Sequence, residues 1–122
     1  MSKIVKAINA MVSNANLISS VISGYEGVEL FFLYDQKHKW SIIKNQKNEY
    51  YLHYYPGNQK LKELAGWPDE AWHDFSQMVS YNTNELGTKE AHDSLSELYT
   101  IVQEKLFGME SVLDEIIGDD TF

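Results

Sequence analysis

The apolar residues of the first 23 positions follow the spacing of one face of an α-helix. Six of them recur at intervals of four and three residues: Ile4, Ile8, Met11, Ala15, Ile18 and Ile22. Because 3.6 residues complete one turn, this spacing predicts an amphipathic helix over residues 3–23. Ser2 is a suitable N-cap for that helix, and Gly24 would end it.

The pattern changes to that of β-strands between residues 28 and 55. Short runs of aromatic and β-branched residues predict three strands, at residues 28–35, 39–45 and 49–55. Two polar connections of hairpin length separate these runs, so we expect a three-stranded antiparallel β-meander. The first strand contains four apolar residues in succession, Leu30–Leu33, which indicates that both of its faces are buried.

Helical spacing returns after Pro56-Gly57, a dipeptide that ends the sheet. It predicts helices that pack on the sheet, at residues 59–65, 68–81, 88–107 and 109–117. Thr88 is a good N-cap, and Gly108 is suited to the position that follows a helix end. An N-terminal helix, an antiparallel sheet and C-terminal helices constitute a single α+β domain over residues 1–122, long enough for its own core.

The composition excludes several classes of chemistry. The chain contains neither cysteine nor arginine, so it has no disulfide, no thiolate ligand and no bidentate guanidinium contact. It also lacks the glycine-rich phosphate loops and the nucleophile elbow that mark familiar enzyme classes. Its longest apolar run, Leu30–Tyr34, is far shorter than a membrane span. We therefore expect a cytoplasmic protein without a cofactor or metal. The missing motifs favour a non-enzymatic role over an enzyme, but they do not exclude an enzyme whose site is a pocket.

The charge is divided unevenly along the chain. Residues 1–62 carry eight lysines and four acids, a net charge of +4. Residues 63–122 carry two lysines and fourteen acids, a net charge of −12, and the two parts together give −8.

Four of the acids after residue 62 recur at intervals of three, four and seven residues on one face of the helix predicted at residues 88–107: Glu90, Asp93, Glu97 and Glu104. Like charges at such spacings destabilise a helix by about 0.2–0.5 kcal/mol per pair. The stripe is therefore either a solvated, solubilising face or a docking surface for a basic partner.

Two further observations extend or compete with that interpretation. Acids of the helix predicted at residues 68–81 would enlarge the acidic surface: Asp69, Glu70 and Asp74. Two histidines lie among the acids and could bind one zinc ion with neighbouring aspartates, although solvated helix-surface histidines are the more common arrangement: His73 and His92.

Three function classes remain open. The leading hypothesis is a non-enzymatic protein-binding module, in one form a neutralising inhibitor of the immunity or antitoxin type, which docks a basic partner through the acidic helical face. The alternative is a small-molecule-binding protein or enzyme that uses an aromatic pocket on the sheet, lined by Trp40, Tyr50, Tyr51, His53 and Tyr54. The third is a weak binder of single-stranded nucleic acid through hairpin lysines beside Trp40, namely Lys37, Lys39, Lys44 and Lys47.

Overall fold

Five antiparallel strands form one sheet in sequential order, with helices before and after it. The computed structural model of the chain describes residues 2–24, 27–72, 75 and 77–120, and the side chains of residues 69, 70, 119 and 120 lie outside that description. The α+β class, with an N-terminal helix, an antiparallel sheet and C-terminal helices, is as predicted. The last helix differs from the prediction that it packs on the sheet, because it leaves its apolar face largely exposed. The number of strands is not, because the sheet has five strands and three were expected.

The elements follow one another in the order α1, β1 to β4, α2, α3, β5 and α4 to α6. The strands are β1 (Ile18–Ser23), β2 (Leu30–Tyr34), β3 (His38–Lys44), β4 (Tyr50–Tyr55) and β5 (Val79–Asn82). The helices are α1 (Lys3–Ser13), α2 (Leu61–Ala65), α3 (Asp69–Trp72), α4 (Thr83–Leu86), α5 (Lys89–Leu106) and α6 (Met109–Asp120).

The first predicted helix is correct for its first half and wrong for its second half. The hydroxyl of Ser2 caps α1 by accepting a hydrogen bond from the backbone N–H of Val5, at 3.4 Å. The helix ends at Ser13, and a short 3-10 turn then leads into β1. The segment expected to continue the helix to residue 23 is thus the first edge strand of the sheet.

A β-bulge interrupts β1 in the segment where the sequence pattern predicts a helix. The register with β2 shifts between Ser19 and Ile22, and Ser20 adopts a positive φ of 55°. In a regular strand, residues three apart point to opposite faces, but one extra residue restores them to the same face. Ile18 and Val21 therefore pack in the same cluster, while Ile22 packs on the other side of the sheet. Ile18 and Ile22, which the sequence pattern assigns to one helical face, therefore lie on opposite faces of the sheet.

The second unexpected strand, β5, occupies the end of the segment predicted to be a helix at residues 68–81. The described helical part of that segment is α3, and β5 pairs with β4 from Tyr54 opposite Val79 to Tyr51 opposite Asn82. The chain between β4 and β5 passes over one face of the sheet, so two strands that are hydrogen-bonded neighbours are joined by a long connection.

The two faces of the sheet are covered by different helices. The front face packs against α1 and α5, and its core includes Ile8, Phe32, Ile42, Leu52, Leu95 and Leu98. The back face packs against the α2–α3 segment, and its core consists of Phe31, Tyr55, Leu61, Leu64 and Ala65 with Trp67, Trp72 and Phe75 around it. Since β2 contributes Leu30 and Phe32 to the front and Phe31 to the back, the predicted burial of this strand on both faces is confirmed.

Candidate functional site

The acidic stripe predicted from the sequence lies on the outer surface of α5. Thr88 caps this helix, its hydroxyl accepting a hydrogen bond from the backbone N–H of Ala91 at 3.1 Å. The apolar face of the helix is buried against the front of the sheet through Ala91, Leu95, Leu98 and Val102. The opposite surface carries the four exposed acids of the stripe, which fall within an arc of roughly 60° at 100° per residue: Glu90, Asp93, Glu97 and Glu104.

These carboxylates have few electrostatic partners. Among the described residues, the single ion pair on the stripe joins Asp93 to the imidazole of His92 at 3.8 Å. That imidazole is also 3.0 Å from the backbone carbonyl oxygen of Asn48. A shallow depression of about 370 Å³ runs along the stripe between Asp93 and Glu104. A row of exposed carboxylates with little local compensation projects a negative field into solvent.

Two of the three acids expected to enlarge the stripe lie in a helix on the other face of the sheet. Asp69 and Glu70 are in α3, which packs on the back face of the sheet through Trp72, whereas α5 lies on the front face. Asp74 lies outside the described residues. Asp69 and Glu70 therefore belong to a helix on the opposite face of the sheet from the α5 stripe.

The last helix, α6, exposes most of its apolar residues. Its apolar face consists of four residues with large exposed fractions, Val112 at 41 %, Leu113 at 47 %, Ile116 at 61 % and Ile117 at 61 %. Phe107, in the connection from α5, is 65 % exposed. The exposed acids Glu110 and Asp114 border this face. A contiguous exposed apolar patch with a charged rim is typical of a surface that contacts another macromolecule.

The five aromatic-pocket residues do not line one pocket. Strand pairing places Trp40 opposite Tyr54 on the front face, and the alternation of side chains places Tyr51 and His53 on the back face. Tyr50 is on the front face, but it is buried against α5 and its hydroxyl donates to the Ser96 hydroxyl at 3.3 Å.

Trp40 and Tyr54 instead line a different space, which we call the aromatic groove. It lies between α1 and the β3–β5 side of the front face and has a volume of about 410 Å³. The sheet contributes four aromatic rings, and α1 contributes two alanines and a methionine opposite them: Tyr34, Trp40, Tyr54 and Tyr81, facing Ala7, Ala10 and Met11. The Trp40 and Tyr54 ring centroids are 4.9 Å apart.

The back face holds a polar network that the sequence did not indicate. The Glu29 carboxylate accepts hydrogen bonds from the Ser41 hydroxyl and from the Tyr55 hydroxyl, the latter at 3.2 Å. The two hydroxyl oxygens are 2.7 Å apart, and both side chains are almost completely buried. Burial raises the pKa of the Tyr55 hydroxyl well above its ordinary range, and the negative charge of Glu29 raises it further. The tyrosine therefore remains protonated and donates its hydrogen bond, and the three side chains form a network with a structural role.

His53 lies next to this network on β4. Its Nδ1 is 2.7 Å from the Ser80 hydroxyl, and burial lowers the pKa of His53, an effect that Glu29 partly offsets. A neutral histidine beside a serine is the pairing that nucleophilic enzymes use, provided that a third group orients the imidazole. Within the described part of the chain no such hydrogen bond to His53 is found, so this pair carries no catalytic assignment.

Two of the hairpin lysines have structural partners. The Lys39 ammonium donates to the backbone carbonyl oxygens of Gly57 and Gln59 on the back face, and Lys37 forms an ion pair with Asp35 at 3.8 Å. Lys39 and Trp40 are on opposite faces of the sheet, so they do not form one binding surface.

No cluster of three or more potential metal ligands occurs among the described residues. Of the two histidines considered for zinc, His92 is on α5 and His73 lies outside the described residues. Within the described ranges, no helix is both long and apolar enough to cross a membrane.

Comparison of the chain with protein-family models, with curated proteins and with solved structures found no significant match.

Proposed function

We propose that this protein is a non-enzymatic, cytoplasmic protein-binding module that docks a basic partner through the exposed surface of α5 and α6. The observation that carries the proposal is the adjacency of two features along the chain. The exposed carboxylate stripe of α5 is followed directly by a helix whose apolar face is 41–61 % exposed. Charge attracts and orients a partner, and apolar area then retains it.

The net charge of α5 and α6 indicates that the partner surface is positively charged. Residues 89–120 contain nine acids against Lys89 and Lys105, which is a net charge of −7. Such a field accelerates encounter with a basic surface by about 10- to 1,000-fold at low salt. It also opposes pairing of two copies of this chain through the same surface, because like charges would face each other.

The exposed apolar face of α6 supports a docking role rather than a purely solubilising one. A solubilising surface needs charge, and it gains nothing from large apolar side chains held in water. Each such side chain contributes about 1.5–3 kcal/mol when it moves from full exposure to full burial. Since Val112, Leu113, Ile116 and Ile117 are about half exposed, a partner that covers them gains part of that amount.

A neutralising inhibitor is the concrete form of this proposal. Enzymes that cleave nucleic acids bind phosphates in basic clefts, and a row of carboxylates on a rigid helix can occupy such a cleft in place of the phosphates. The stripe is supported by a helix whose inner face is fully buried, so its side chains are held on a rigid element.

The test begins with photo-crosslinking in the native cell. A photoreactive amino acid at Glu97 or Leu113 should crosslink to the same basic protein, and one at Tyr51 on the back face should not. Binding kinetics with that purified partner follow. The triple variant Glu90→Lys, Asp93→Lys, Glu97→Lys should associate at least about 10-fold more slowly at low salt, and the difference should shrink as salt is raised.

Two variants provide the controls. Glu63→Lys in α2 changes the same kind of charge at an exposed position of the back-face segment, and it should leave the association rate almost unchanged. Ile116→Ser should increase the dissociation rate with little effect on association. An association rate that the triple substitution does not alter would refute the proposal.

A further inference from the structure

We infer that the aromatic groove on the front face is a binding site for a small, neutral, planar aromatic molecule. This site is independent of the proposed protein-binding surface, because α1 and β2–β5 supply its lining and none of the described lining residues belongs to α5 or α6.

The groove exists because small side chains on α1 face large rings on the sheet. Ala7 and Ala10 lie opposite Trp40, Tyr54 and Tyr81 across a space of about 410 Å³. A close-packed core would fill such a space with a leucine or phenylalanine on the helix. Its volume lies within the range of about 300–1,000 Å³ that is usual for small-molecule sites.

The groove is already formed without a ligand. Trp40 and Tyr54 are direct cross-strand neighbours in a paired register, so the sheet fixes the spacing of their backbones. Met11 is 3 % exposed and forms part of the wall as an adaptable side chain. A site on two paired strands and a helix loses little conformational freedom when it binds.

The lining determines the chemistry of the ligand. Among the described residues neither Lys, Asp nor Glu lines the groove, so a charged ligand would lose its hydration without gaining an ion pair from them. Aromatic walls favour aromatic ligands, because rings attract one another in offset-stacked or edge-to-face geometry. The polar groups at one side are the imidazole of His38 and the hydroxyl of Tyr54, whose Nδ1 and Oη atoms are 3.5 Å apart. A single hydrogen-bonding group on the ligand can therefore be accommodated there.

Indole is a suitable probe, since it is neutral, planar and carries one N–H donor. The measurement is a titration of the ¹⁵N-labelled full chain followed through its tryptophan side-chain N–H signals. The Trp40 signal, identified by its loss in Trp40→Phe, should shift saturably with a Kd of about 1 mM or tighter. The signals of Trp67 and Trp72 on the back face should not move. Tryptamine and indole-3-acetate, which carry a positive and a negative charge, should bind at least about 10-fold more weakly.

A groove-filling variant and a matched control test the location. Ala10→Leu should weaken indole binding at least about 10-fold, because leucine would occupy the space opposite the rings. Ala71→Leu places the same change at an exposed helical alanine on the back-face segment, and it should leave binding unchanged. If Ala10→Leu fails to fold, Val79→Lys, at an exposed position of the opposite wall, should weaken binding through its charge.

Three outcomes would overturn the inference. The first is the absence of a saturable shift at Trp40, and the second is equal binding by native protein and Ala10→Leu. The third is failure of free indole together with binding of a tryptophan-containing peptide, which would assign the groove to a protein segment. The triple charge reversal on α5 should leave indole binding unchanged, so the groove and the acidic surface can fail separately.

Discussion

Removing one hydroxyl from the back-face network should change the stability of the protein in a pH-dependent way. In Tyr55→Phe the ring is kept, so the 1 % exposed site stays filled and no cavity forms. The substitution deletes the hydrogen bond from Tyr55 to the Glu29 carboxylate at 3.2 Å and the contact with the Ser41 hydroxyl at 2.7 Å. Hydrogen bonds to charged groups contribute about 1.5–3 kcal/mol, so we expect this loss of unfolding free energy at pH 8.

The same hydroxyl makes the native protein sensitive to alkali. Burial and the charge of Glu29 raise the pKa of Tyr55 in the folded state, whereas in the unfolded chain this tyrosine ionises near pH 10. Above pH 10 the unfolded state therefore binds fewer protons than the native state, and the stability of the wild type falls as pH rises. By pH 11 the loss amounts to about 1.4 kcal/mol, from RT ln(1 + 10). Tyr55→Phe lacks this ionisation, so its stability deficit should shrink by that amount between pH 8 and pH 11.

Urea denaturation of both proteins at pH 8, 9, 10 and 11, monitored by far-UV circular dichroism, measures the difference directly. Other alkaline effects are common to both proteins and cancel in the difference. Ser41→Ala is the companion variant, since it removes the other donor to Glu29 without removing an ionising group. Its deficit should stay constant over the same pH range. If the loss of unfolding free energy in Tyr55→Phe did not change with pH, the tyrosine would not be the source of the alkaline sensitivity. If there were no loss at pH 8, its hydrogen bond to Glu29 would not stabilise the fold.

Three further predictions concern stability. Burial lowers the pKa of His53 in the folded state, so on acidification the imidazole is protonated first in the unfolded chain, and the unfolding free energy falls as pH drops below about 6.5. Urea titrations should show that His53→Gln loses less unfolding free energy in acid than the wild type does. An identical loss in both proteins would contradict the lowered pKa of His53. Leu98→Ala should lower the unfolding free energy by about 2–5 kcal/mol, because Leu98 is fully buried. Ile116→Ala should change it by less than about 0.5 kcal/mol, because Ile116 is exposed. Equal effects of the two substitutions would mean that the apolar face of α6 is packed and not exposed. Thr88→Ala should cost about 1 kcal/mol in the same denaturation assay, with Thr88→Ser close to wild type, and a neutral alanine variant would rule out the cap.

The caps and the interior strand β2 were predictable because their causes are local. Ser2 and Thr88 satisfy backbone N–H groups within three residues of themselves, and Gly108 has the positive φ that suits the position after a helix. The apolar run Leu30–Leu33 lies in a strand whose first three residues are buried, on alternating faces. Each of these features needs no information from distant parts of the chain.

The two missed strands depended on distant partners. The bulge in β1, which exists through pairing with β2, places Ile18 and Ile22 on opposite faces of the sheet, although their spacing of four residues predicts one face of a helix. β5 completes the open edge of β4, whose backbone groups gain hydrogen-bonding partners when residues 79–82 extend alongside. Neither pairing is encoded in the periodicity of its own segment.

For the candidate sites, the sequence by itself determined which residues share a face within one element. The carboxylate stripe of α5 and the apolar face of α6 follow from the 3.6-residue repeat, and they are where that repeat places them. Tertiary structure alone decided which residues of different elements meet. It places Trp40 and His53, and likewise α3 and α5, on opposite faces of the sheet. It also brings Glu29 into contact with Tyr55, and Ala10 to the groove that Trp40 lines. The physical reason is that a strand's register and the side on which a connection crosses are set by long-range pairing and burial, which no local pattern specifies.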